Sequence, residues 1–354
     1  MQTMNQGERA FNLCVRCGTC RTVCPVFEEA GWESANTRGR MMIIKELCSG
    51  RLEADQGVKD SLNTCTTCGL CTENCPAGIS PPDIIERARG MLVALGLTTS
   101  ELEDLDRKIL NSGNTFGEKT DRLCWLPDRS LIREKADYVY FVGCMNSYRY
   151  HEAARRTFSI LSQFGATLLA GEQCCGSPLL RTGFDARKVI DENSRQIKRI
   201  GARTVITGCA GCYTTLKNSY GNQFQVLSVP EFLASHISEI DLKPLDITVT
   251  YHDPCHLGRH NRIYEQPRQV IRAICRLVEM KASRNAARCC GGGGGVRAGY
   301  KDLSLQMARR RLEDVPDDVD YIVTSCPLCI RNLRDGGGGE KVIDLVDLVG
   351  MAME

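Results

Sequence analysis

Eight cysteines fall into two runs of one spacing. Cys14, Cys17, Cys20 and Cys24 read C-x2-C-x2-C-x3-C ahead of Pro25, and Cys65, Cys68, Cys71 and Cys75 repeat the pattern ahead of Pro76. In such a run three close-set thiolates wrap one iron–sulfur cubane, while the fourth ligates the neighbouring cluster. Cys14, Cys17, Cys20 and Cys75 are therefore expected to hold one 4Fe-4S cubane, and Cys65, Cys68, Cys71 and Cys24 a second. Gly18 and Gly69 let the backbone close around each cluster and aim N–H groups at sulfur. A pair of zinc ribbons is the competing reading, but zinc takes ligands in two pairs and leaves the third cysteine of each run without a use.

Ten further cysteines form a tandem pattern. Cys144 ends the apolar segment YVYFVGC, Cys174-Cys175-Gly176 follows, and Cys209-x2-Cys212 comes after TVITGC. A second copy runs from ITVTYHDPC, ending at Cys255, through Cys289-Cys290-Gly291 to YIVTSC and Cys326-x2-Cys329. Corresponding cysteines are offset by 111, 115 and 117 residues, a period that means two domains rather than a solenoid. Five thiols per copy is one more than a cubane or a zinc ion needs. Either one thiolate bridges two irons or one cysteine is redox-active without metal, and the spacing does not choose.

These thiols need elements to position them. The 40 residues between Cys24 and Cys65 contain RGRMMIIKELCSGRLE, with apolar residues at helical spacing, and Pro81-Pro82 opens another helix over 83–89. An all-helical ferredoxin domain is expected over 1–90, then a linker over 91–136 that is helical before it becomes a loop. Within 137–240 and 241–354, strands alternate with amphipathic stretches such as EAARRTFSILSQFG. That predicts two tandem α/β domains with mostly parallel sheets. The lone cysteine and the CxxC of each copy fall where strands end, at the carboxyl edge where open α/β sheets build their sites.

Composition narrows the function. The 354 residues include 21 cysteines; a long chain whose first residues, MQTMNQGERA, lack the apolar core of a signal peptide does not suit a secreted disulfide scaffold. Net charge is +2, with no basic excess for nucleic acid. No apolar run approaches the roughly 18–20 residues of a membrane span. A cytoplasmic protein is expected, reaching a membrane face only through a partner.

The strings CCGSPLLRTG, YHDPCHLGR, CCGGGGGV and SCPLC resemble the cysteine-rich CCG domains of the D-type heterodisulfide reductase polypeptides and their close relatives, which share the order helical ferredoxin then two CCG domains. The resemblance spans nearly the whole chain outside the linker, and no motif cysteine is replaced. It implies that Cys144, Cys174, Cys175, Cys209 and Cys212 hold one non-cubane 4Fe-4S cluster and Cys255, Cys289, Cys290, Cys326 and Cys329 another. It also implies that the mixed disulfide of coenzyme M and coenzyme B binds between the two, with the cubanes wired to an electron-donating subunit, a b-type cytochrome or a flavin/iron–sulfur subunit. Relatives of the same domain order also serve flavin dehydrogenases of 2-hydroxy acids or glycerol 3-phosphate as pure electron conduits. A structural zinc at Cys209 and Cys212 is a third reading.

Smaller signals surround the ligands. His252 and His256 flank Cys255 and are candidates for protonating released thiolates or for hydrogen-bonding a cluster; packed, satisfied histidines are the alternative. Arg181, Arg259 and Arg297 follow ligand motifs and either attract an anionic substrate or lie in solvent. The glycine run 291–295 lacks the dinucleotide-binding spacing, since Val296 stands where a glycine is needed; close backbone approach to a cluster explains it better. Cys48, Cys124 and Cys275 fall outside every motif and are expected to be buried structural thiols.

Overall fold

The computed structural model describes residues 12–354. The N-terminal decapeptide, read above for a targeting signal, lies outside the described residues. Among the described residues the first hundred or so are purely helical. The helix Thr37–Cys48 fills the space between the two cysteine runs. Asn36 caps it by accepting from the Gly39 N–H, and Met41 and Ile44 face inward. Pro81–Ala94 buries Ile84, Ile85, Ala88 and Leu92 on one stripe against Leu62 and Val58.

The linker continues as the helix Ser100–Ser112, capped by Thr99, before an irregular stretch. That stretch carries Leu123, Trp125 and Leu126 into the core of the repeats.

Each repeat is a four-stranded, all-parallel sheet. Strands β1 (Tyr138–Phe141), β2 (Thr167–Leu168), β3 (Thr204–Thr207) and β4 (Gln225–Ser228) are ordered β2-β1-β3-β4. Strands β5 (Thr248–His252), β6 (Arg276–Leu277), β7 (Tyr321–Thr324) and β8 (Val342–Asp344) repeat that order as β6-β5-β7-β8. Tyr138 pairs with Thr204 in one sheet and Val249 with Tyr321 in the other. Short parallel strands need helical crossovers, and the sequence supplies amphipathic ones. Arg187–Ile200 buries Val189, Asn193 and Ile197, one residue per turn.

The repeats share one core. Helix His151–Gln163 of the first packs on Leu345–Met353 of the second, and Val229–Ser235 packs on Glu265–Ile274. The pairing is reciprocal, as a pseudo-two-fold requires. It joins Phe158, Phe232 and Leu233 to Val270, Ile271 and Leu348.

Candidate iron–sulfur centre

The strand order places β1 between β2 and β3, so successive connections leave β1 toward opposite sides. This switch point is where open α/β sheets make a crevice. Cys144 follows β1, Cys174 and Cys175 follow β2, and Cys209 follows β3; Cys255, Cys289, Cys290 and Cys326 stand in the same places after β5, β6 and β7. Cys209 is the N-cap of the helix Ala210–Ser219 and Cys326 that of Pro327–Leu333, so Cys212 and Cys329 sit in first turns. The backbone N–H groups of Cys212 and Cys329 point back at the N-cap sulfurs of Cys209 and Cys326, where a helix N-terminus favours thiolate. Gly143, at φ +77°, brings β1 so close that a Cβ would lie 3.3 Å from the Cys212 sulfur.

The ten thiols form one file. Cys144 contacts Cys174, which contacts Cys175, then Cys212, then Cys209. Cys209 crosses to Cys326 of the second repeat. From there the file continues to Cys329, to Cys290 at 3.3 Å, to Cys289 and to Cys255. Cys289 also meets Cys68 of the helical domain.

Sulfurs this close cannot all ionise together. Cys175, accepting from Cys174 and Cys212, is held down at about 6, while its donor Cys212 is pushed up by Cys175 and Cys209. Hydrogen bonds with Cys289 and Cys329 hold Cys290 well below the usual thiol range, and those with Cys209 and Cys329 do the same for Cys326. Backbone N–H groups add to this, Gly291 to Cys289 at 3.3 Å and Ser177 to Cys175 at 3.5 Å.

In the helical domain two cavities line up with the two expected ligand sets. Cys14, Cys17, Cys20, Cys71 and Cys75 line one; Cys24, Cys65, Cys68 and again Cys71 line the other. Arg16 and Thr67, the residues before Cys17 and Cys68, both have positive φ, as do Gly18 and Gly69 just after. The two loops therefore wind alike around their cavities. Cys17 is exposed, whereas Cys24, Cys65, Cys68 and Cys71 are buried.

The domains are clamped together by buried arginines. Arg89 donates to the carbonyls of Leu62 and Cys65 in its own domain, of Arg181 in the first repeat and of Gly294 in the second. Arg259 reaches back to the Cys68 carbonyl at 2.7 Å and to Ala287 at 2.5 Å. The glycine run lies where the ferredoxin loop crosses it: a Cβ on Gly294 would lie 2.3 Å from the Cys65 carbonyl oxygen, and one on Gly293 2.9 Å from that of Thr66. The close approach expected there is by protein backbone.

The other secondary candidates also have structural partners. Arg181 pairs with Glu86 at 2.7 Å and Arg297 with Asp335, and Arg259 is buried on backbone carbonyls, so none of the three lies loose in solvent. Of the cysteines outside the motifs, Cys124 is exposed beside His151, and Cys48 and Cys275 are half-buried. The full burial expected of them is not met: Cys48 and Cys275 pack at the margins of core clusters, and Cys124 stands exposed.

His252 and His256 are both buried and held in the neutral form. Burial, aided by the Arg311 charge, pushes His252 down to about 3. Burial and neighbouring His260 push His256 well down as well, and its ring stacks on His260 at 4.3 Å.

One pair had no motif to announce it. Arg122, from the linker, lies 3.5 Å from the Cys144 sulfur and 2.7 Å from Glu172. Glu172 also accepts the N–H groups of Val142 and Gly143. The only signal was an acid two places before Cys174.

The site suits iron–sulfur clusters by the chemistry of its donors. The thiols converge in groups, partly pre-ionised, and no disulfide joins any two cysteines among the described residues. Residues 10–79 match the 4Fe-4S dicluster domain, and 138–217 and 249–334 match the cysteine-rich CCG domain. The chain is 35% identical, over 97% of its length and 94% of the relative's, to the D-type polypeptide of dihydromethanophenazine:CoB--CoM heterodisulfide reductase from Methanosarcina barkeri. It is 34% identical to the B-type polypeptide of fumarate reductase (CoM/CoB) from Methanothermobacter marburgensis, over 98% of this chain and 73% of that one. It is 27% identical to EtfAB:quinone oxidoreductase of Syntrophomonas wolfei, over 97% of this chain and 58% of that one.

Fold and site thus define an iron–sulfur oxidoreductase subunit with a dicluster ferredoxin domain and two cysteine-rich domains. The chain belongs to the family of D-type heterodisulfide reductase polypeptides.

Proposed function

We propose that this subunit passes electrons from a partner to a disulfide bound between its two repeats, with the mixed disulfide of coenzyme M and coenzyme B as substrate. The file of ten thiols carries the reading: it is continuous across the repeats at Cys209 and Cys326, and it touches the ferredoxin domain at Cys68. Cys14, Cys17, Cys20 and Cys75 would hold one cubane and Cys24, Cys65, Cys68 and Cys71 the other. The two cysteine pentads would hold two non-cubane 4Fe-4S clusters. When bound, these clusters supply one-electron steps and iron that can take sulfur, which a two-electron cleavage of S–S to two thiols requires.

The chain's own residues set the route. Leu13 and Val15, both exposed beside Cys14, present an apolar face near the outer ligand set, suited to an electron-donating partner of cytochrome b or flavin/iron–sulfur type. Cys68 against Cys289 leads inward to the second repeat. Arg259 keeps a buried positive charge between those two ligand sets. Cys209 and Cys255 are the least covered of the ten pentad thiols, so the disulfide approaches there. His256, neutral and buried with Nδ1 unpartnered, is suited to hydrogen-bond a released thiol rather than to carry its proton. No helix among the described residues is long and apolar enough to cross a membrane. A cytoplasmic site of action, with any membrane contact made by the partner, fits this.

The test is metal analysis with EPR of anaerobically purified protein. About sixteen irons per chain, at four per cluster, and a new signal on adding coenzyme M are expected. About eight irons and no new signal overturn the reading in favour of a conduit for a flavin dehydrogenase of a 2-hydroxy acid or glycerol 3-phosphate. The likeness to EtfAB:quinone oxidoreductase keeps that second reading in view.

A further inference from the structure

The two pentads occupy equivalent places in equivalent sheets, yet one position in their walls differs in kind. The last residue of β1 is Phe141 and the last residue of β5 is His252, each three places before the lone cysteine of its repeat. Phe141 packs in an apolar cluster with Cys175 and Cys212. A ring nitrogen of His252 and the sulfurs of Cys290 and Cys329, the counterparts of that pair, all lie within 4.8 Å of one another.

Which nitrogen carries the proton follows from the partners. Arg311 Nε donates to His252 Nδ1 at 3.0 Å. Arg311 is itself fixed, donating to Asp314 at 2.8 Å and to the Ala282 carbonyl at 2.7 Å, and it is fully buried. A guanidinium in a protein keeps its protons, so Nδ1 must offer a lone pair and the neutral ring must carry its hydrogen on Nε2. Nε2 is buried and has no hydrogen-bond partner among the described residues. Buried N–H groups rarely go without an acceptor, and the Cys290 and Cys329 sulfurs lie within 4.8 Å of a nitrogen of this ring. The same logic excludes His252 as an iron ligand through Nε2, because that nitrogen has no lone pair to give.

We propose that His252, locked as the Nε2–H tautomer by Arg311, donates a hydrogen bond to the Cys290/Cys329 sulfurs and so raises the reduction potential of the second repeat's cluster above that of the first, where Phe141 offers nothing. A donor aimed at thiolate sulfur favours the more reduced, more negative state of a cluster. The second repeat is also the one that Cys68 touches, so the asymmetry makes the first acceptor beyond the ferredoxin domain the better one. Arg311 acts here as a positioning residue. This inference rests on the proposed occupancy of the pentads.

The test compares parent protein with His252→Phe, His252→Gln and Arg311→Leu, all purified without oxygen. Iron content, EPR-monitored redox titration and ENDOR spectra in H2O and D2O are recorded. With iron unchanged, H252F is expected to lower the midpoint potential of one repeat's cluster, leave the other in place and abolish one exchangeable-proton coupling. H252Q, which keeps an N–H donor, is expected to restore part of the shift, and R311L to weaken the coupling. Unmoved potentials at full iron content overturn this proposal alone. A strong directly bonded nitrogen coupling in the parent, or loss of about four irons per chain in every His252 variant, also overturns it in favour of a ligand. A parent with only about eight irons overturns the underlying reading and this proposal with it.

Discussion

Cys209 and Cys326 meet sulfur to sulfur across the boundary between the two repeats, although 117 residues separate them. Metal-free protein treated with diamide is expected to form this cross-repeat disulfide in preference to one through the exposed Cys124. Peptide mass mapping reads the linkage. A map dominated by Cys209–Cys212 would mean that the repeats part when metal is absent.

Glu172→Gln is expected to be costly. It leaves the Arg122 guanidinium buried without a counter-charge, where the parent pair is only 8% and 1% exposed. Breaking a buried pair from one side costs about 3–5 kcal/mol. Urea unfolding measures the loss, and Arg122→Met in the same background should recover part of it.

Gly294 and Gly31 both have positive φ, but only Gly294 is crowded, by the Cys65 carbonyl. Gly31→Ala is expected to cost about 1 kcal/mol from backbone strain alone. Gly294→Ala should cost more and expose the ferredoxin domain to protease, because the Cβ pushes Cys65 and Thr66 away. Equal protease resistance in the two variants would contradict the docking geometry.

Asp344 supplies a pH signature. It is buried and pushed well above the ordinary carboxylate range by desolvation, with Asp347 adding repulsion. An acid raised in the fold is favoured there as its neutral form, so its contribution is complete below its ordinary value and is lost as pH climbs through the folded one. Asp344→Asn keeps a capping oxygen for the last helix. Its Tm is expected to gain on the parent's as pH rises above the ordinary carboxylate range, and parallel Tm curves would count against the buried carboxyl.

The sequence announced the ligands because cluster-binding thiols come at fixed local spacings, and it announced the sheets because their strands end at those cysteines. Helix Thr37–Cys48 was legible for the same local reason. What joins the domains was not, since Arg89 bonds to Gly294 over 205 residues and Arg259 to Cys68 over 191. Nothing in a linear pattern marks such carbonyl contacts. Residues 91–136 read as a mere connection, yet Arg122 brings a charge to Cys144 from there. His252 was visible, but its meaning lay in Arg311, on a helix 59 residues away.

The clasp formed by Arg89 and the 291–295 glycines bears on how the molecule matures. Cys289 meets Cys68 under the loop that Gly293 and Gly294 seat, and that loop can dock only once the glycine run is folded. On the proposed occupancy, the second repeat is expected to take up its iron before the helical domain docks over Cys289.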